Sequence, residues 1–216
     1  LTEVSLGGQT INGSAQFFYA LIAMTCLYGC FIGFGSAITL QANLTALAAR
    51  RCVTPTHKLK LILSEQIASF LLGYFDVIVL LIYLRYILKL DFQGKIGPML
   101  LISFFGSLIG VSIGIFVGSL GKMKEGGKIG IILGFSMVCS FLSGLMNNTM
   151  KDLVEKNMPV INRINPAALI SDAFYCINEY DDMSRYYRNL FTLAVMSITL
   201  VTASFLLIRR ESYDSI

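Results

Sequence analysis

Two carboxylates, Glu65 and Asp76, interrupt the apolar stretch Leu61–Leu84. They lie eleven residues apart, roughly 16 Å along a helix and close to three whole turns, so both point the same way. Ser69 and Tyr83 fall on or near that face. A carboxylate at mid-bilayer costs about 2.5–3.5 kcal/mol on insertion scales, so it faces protein or water rather than lipid. One reading places these groups in a translocation pathway or gate. The other makes each a structural carboxylate hydrogen-bonded to a neighbouring helix. Asp76, near the middle of the stretch, is the sharper candidate for the pathway, and Glu65 lies near one end.

The residues for other chemistry are missing or wrongly spaced. Gly121–Lys128 superficially resembles a phosphate-binding loop, but its glycine and lysine spacing does not fit and no Ser or Thr follows Lys128. The one histidine, His57, has no Cys or carboxylate cluster beside it, so it forms no metal site. Cys26, Cys30, Cys52, Cys139 and Cys176 include no CxxC pair and read as small buried hydrophobes. No GxSxG, HExxH or paired-acid arrangement occurs. Matches to N-x-[ST] at Asn12, Asn43 and Asn147 are at chance level. The chain is therefore expected to perform no covalent chemistry and to hold no cofactor of its own.

The elements that must position Glu65 and Asp76 are membrane spans. Of 216 residues, 55% are hydrophobic and only 14% are charged, against about 25% charged in soluble domains. Mean hydropathy is +0.70. Five segments have the ~20 mostly apolar residues that a helical span needs: 17–40, 61–84, 98–120, 129–146 and 190–208. No strand-like alternation competes with them. The expected fold is an all-α, polytopic helix bundle.

Loops 41–60 and 121–128 and tail 209–216 lie on one side, with nine Lys or Arg in 36 residues. The other side has eight in 72 residues. The denser side is placed in the cytoplasm. Leu1–Gln16 then reads as the end of an external segment, and a sixth span is expected ahead of it.

Loop Gln41–Lys60 carries Arg50, Arg51, Lys58 and Lys60 and no acid. Ala42–Arg51 reads as a short helix, broken at Thr54-Pro55-Thr56 because proline lacks an amide proton and restricts the residue before it. A helix-break-helix unit between two spans cannot move independently of them. Simple contact with anionic lipid is the plainer reading of the basic cluster.

Gly106, Gly110, Gly114 and Gly118 recur every fourth residue, a small-xxx-small pattern that lets helices approach closely. Gly126, Gly127, Gly130 and Gly134 follow in the next span. The expectation is an antiparallel hairpin with glycine faces. In the outer segment 147–189, Asn165-Pro166 is a helix start, and Met150–Asn157 is a second short helix ended before Pro159. Both are expected to lie in or dip into the outer leaflet. Phe174, Tyr175, Tyr180, Tyr186 and Tyr187 read as an interfacial aromatic belt.

Taken together, the sequence resembles the permease subunits of type-2 ATP-binding-cassette (ABC) exporters. The resemblance covers nearly the whole chain. It rests on a span running into ALAARRCVTPTHKLKLILSEQ, the glycine-rich hairpin, the stretch PVINRINPAALISDAFY, and a last span ending Ile208-Arg209-Arg210. It implies six spans, dimerisation with a second copy or a homologous permease, and partner ATPase subunits that bind ATP and Mg in the cytoplasm. It makes Gln41–Cys52 a coupling helix, so Leu44, Leu47, Arg50, Arg51, Thr54, Pro55 and Lys58 become the ATPase-coupling residues. Many relatives carry acids in that segment; this loop has none. Lys151–Tyr180 would form short re-entrant helices. The implied location is the plasma membrane, multi-pass with a cytoplasmic C-terminus, in a bacterium, with lipid as a contact and no nucleic acid. An ion-coupled transporter or channel using Asp76 and Glu65 is one alternative. A membrane sensor or scaffold using segment 147–189 is another.

Overall fold

The computed structural model describes residues 13–38, 58–90, 92, 96–120, 123–180 and 182–210. Among them, five helices are long and apolar enough to cross a membrane. These are α1 (Gly13–Ile38), α2 (Lys58–Ile82), α3 (Ile96–Gly118), α4 (Glu125–Leu142) and α8 (Met183–Arg210). Between α4 and α8 run three shorter helices: α5 (Asn148–Asn157), α6 (Pro159–Ile164) and α7 (Pro166–Tyr175). Wider π-helical turns extend α2 over Tyr83–Ile87 and α7 over Cys176–Tyr180. The 26 residues of α1 span about 39 Å, enough for a hydrocarbon core ~30 Å thick. The described residues form an all-α polytopic bundle, with no strand among them.

The bundle is built on α1 and α3, which are more than half buried, while α2, α4 and α8 are less than one-third buried. Gly106 meets Cys26, Gly114 meets Cys30 and Gly118 meets Ala37, so α1 and α3 run parallel. A Cβ on Gly110 would collide with the carbonyl oxygen of Cys26, and one on Gly114 with that of Cys30. Gly33 reciprocates from α1, where a Cβ would strike the backbone of Val111. The glycine row thus seats α1 on α3 at backbone contact, the geometry that small residues permit.

This corrects the expected pairing of glycine faces across the α3–α4 hairpin. A Cβ on Gly126, Gly130 or Gly134 would meet nothing within 4 Å. Instead α4 turns inward the stripe Lys128, Ile132, Ser136 and Cys139, spaced at three and four residues so that they share one face. Ser136 Oγ lies 3.5 Å from Cys30 Sγ of α1. On the other flank, α2 packs through Phe70 and Tyr74 against Phe104 of α3, with ring centroids 4.7 and 5.7 Å apart.

Segment 147–189 differs from expectation in two ways. Pro159 opens a third short helix as well as following the previous one, since proline at the first helical position removes an amide that would lack a partner anyway. The aromatic belt is largely core. Phe174, Tyr175 and Tyr186 are buried, while Tyr187 is exposed. Tyr19 stacks on Phe174 with centroids 6.1 Å apart, and the Tyr186 hydroxyl donates to the Pro98 carbonyl at 2.9 Å. Folding α7 back onto the α1–α3 pair puts these rings inside.

Candidate functional site

The sequence-derived candidates do not share one environment. Ser69 is buried and its hydroxyl is hydrogen-bonded to that of Ser36 on α1. One turn before it, the Gln66 amide donates to Ser112 Oγ of α3 at 3.1 Å. Glu65 is half-buried, whereas Asp76 is exposed. Asp76 has no hydrogen-bond or ion-pair partner among the described residues. Tyr83, exposed, begins the π-helical turn. Leu72, Asp76, Val79 and Tyr83 follow three- and four-residue spacing, so they form one exposed stripe along α2. Leu44, Leu47, Arg50, Arg51, Thr54 and Pro55 lie outside the described residues, and Lys58 is the first residue of α2.

The best-organised polar cluster is one the sequence reading passed over. It centres on Asp172 in α7, where Asn165 caps the helix by accepting from the amides of Ala167 and Ala168 at 2.9 and 3.4 Å. The same Asn165 donates to the Cys139 carbonyl of α4 at 2.8 Å, which fixes α7 to the bundle. Arg185 holds both oxygens of Asp172, with Nε 2.7 Å from Oδ2 and Nη2 2.8 Å from Oδ1. Asn189 donates to Oδ2 at 2.8 Å, and Lys151 Nζ lies 3.1 Å from Oδ1. Lys151 also sits 5.3 Å from the Tyr175 ring centre. Arg185 and Asn189, four residues apart on α8, reach the same point because that spacing places them on one face.

One carboxylate therefore ties α5, α7 and α8 together. Burial pushes the Asp172 carboxyl up, but the charges of Lys151 and Arg185 and the hydrogen bonds from Asn189 and Lys151 outweigh it. Its pKa is held below the ordinary value of 3.8. The available signal was a single acid in an otherwise apolar helix, ALISDAFY, with the pair Arg185 and Asn189 downstream.

A second missed residue is Lys128. Counted among the basic residues of a loop, it is instead buried at 1% exposure, with Nζ 2.7 Å from the Gly118 carbonyl at the end of α3. A cation there complements the partial negative charge at the C-terminal end of a helix. Among the described residues, no group of three or more His, Cys, Asp or Glu could hold a metal ion.

A bundle of five helices long and apolar enough to span a bilayer, with short helices before the last of them, is the architecture of a multi-pass membrane protein. The model of the ABC-2 family transporter proteins matches residues 1–206, and the chain belongs to that family. It is a transmembrane permease of an ABC transporter, a transport subunit rather than an enzyme. The family assignment favours this function over the ion-coupled and scaffold alternatives. No curated protein and no solved structure matches the chain.

Proposed function

We propose that the chain is half of an exporter, paired with a second permease and driven by cytoplasmic ATPase subunits. ATP binding would close the two cytoplasmic halves together. Loop 41–60 would pass that closure to α1 and α2, the spans on either side of it. Its basic, acid-free composition supports contact with a partner surface and a cytoplasmic placement.

The observation that carries the reading is Asp76. A mid-span carboxylate exposed on the single chain must meet water or another protein surface once the membrane is present. The stripe Leu72, Asp76, Val79 and Tyr83 is accordingly the face turned to the second permease, and Asp76 lines or gates the path between them. The test is transport in reconstituted vesicles, normalised to folded protein. Asp76→Asn should express well while transport drops. A fully active Asn variant would remove Asp76 from the pathway.

A further inference from the structure

Beside the Asp172 cluster lies a cavity of about 300 Å³, open on one side. Its charged lining comprises Lys151, Arg163, Arg185 and Arg188 against Asp172 and Glu155. The acids are already engaged. Asp172 receives Lys151, Arg185 and Asn189, and Glu155 Oε2 accepts from Asn162 Nδ2 at 2.8 Å. Arg163 and Arg188 have no acidic partner among the described residues. The cavity thus holds four positive groups against two negative ones, and the excess resides on two exposed guanidinium groups. Asn162, buried at 7% exposure, donates to Glu155 and to the Lys151 carbonyl and so braces the same cavity wall.

The surroundings of those arginines are apolar. Ile164, next to Arg163, is 61% exposed, and Val160 on the same short helix is also exposed. Phe191, one turn beyond Arg188, is 69% exposed. Arg188 stands in the opening turns of the span α8, and basic side chains near a span end reach the headgroup level. A ligand that fits must be anionic at the cavity and apolar beyond it. Two planar guanidinium forks match phosphate oxygens bidentately.

We infer that this cavity binds the phosphate of a membrane phospholipid, with Arg163 and Arg188 on its oxygens and the acyl chains along Ile164 and Phe191. The Asp172 cluster serves as the rigid floor, holding Lys151 and Arg185 in place so that the two unpaired arginines meet the headgroup. The site depends only on the chain being embedded in a bilayer, and stands apart from the pathway assigned to Asp76.

The test uses the full chain in a phosphorus-free detergent, incubated with phosphatidylglycerol, with a glycolipid of the same acyl chains lacking phosphate, or with inorganic phosphate. Retained lipid is measured after size exclusion. Phosphatidylglycerol should be retained about ten-fold better than the glycolipid. The double variant Arg163→Gln/Arg188→Gln should lose that preference, and Arg163→Lys/Arg188→Lys should recover part of it. Arg85→Gln, at a lining cation of a separate apolar cavity, should leave it unchanged. Both arginines are exposed, so melting temperatures of the variants should match the parent. Equal retention by parent and Gln variant, or equal retention of the glycolipid, would overturn the site. Binding of inorganic phosphate without lipid retention would overturn the lipid as its source.

Discussion

Lys128 reaches from the first turn of α4 to the end of α3, where its Nζ donates to the Gly118 carbonyl across 2.7 Å. This bond closes the α3–α4 turn from inside, and the glycine it caps belongs to the row that seats α3 on α1. Lys128→Ala should leave that carbonyl without this charge-assisted partner and cost about 1–3 kcal/mol. Thermal melting in detergent measures it. A melting temperature equal to the parent's would show that the cap contributes nothing.

The two sets of glycines should respond in opposite ways. Alanine at Gly110 or Gly114 drives a Cβ into backbone carbonyls of α1, which cannot move as a flexible side chain can. The cost should reach or exceed the ~1–3 kcal/mol of ordinary overpacking. Gly134→Ala meets open space and should be neutral, or stabilising by about 0.5–1 kcal/mol through its helix propensity. Yield of monodisperse protein and its melting temperature report both. Equal tolerance at the two sets would break the α1–α3 seam.

Asp172 should govern acid stability of the short-helix cap. Its pKa lies below the ordinary 3.8, so its charge contributes fully above that value, and the contribution is lost as pH falls through the depressed one. Asp172→Asn should melt lower than the parent at neutral pH, and the difference should shrink in strong acid. Asp172→Ala should cost about 3 kcal/mol, or somewhat less because Arg185 is partly exposed. A gap between parent and Asn variant that stays constant down to about pH 2 would contradict this account.

Coupling to the ATPase is proposed for Arg50 and Arg51. Reversing both to Glu should weaken co-purification of the ATPase subunits, or leave hydrolysis uncoupled from transport. Assembly and transport at the parent level would show that docking uses other residues.

Much of this architecture was legible along the chain. Runs of about twenty apolar residues have few alternatives in a bilayer, because every backbone amide must be satisfied within its own helix. That constraint made five spans readable without any knowledge of their neighbours. Local signals of the same kind found the Asn165-Pro166 helix start, since a cap depends on residues three or fewer positions away. What the chain alone left open was which surface meets which. Glycine spacing announced a seam, but α1 and α4 were both available as partners of α3, and only the folded bundle chose α1. Lys128 looks like a loop cation until the end of α3 is brought above it. Asp172 looks like one outer acid among several until Lys151, Arg185 and Asn189 converge from positions far apart in sequence. A charge is inexpensive in water and costly in a packed interior, and its partners decide which of the two it experiences. Those partners are set by tertiary contacts, which no periodicity within a single helix records.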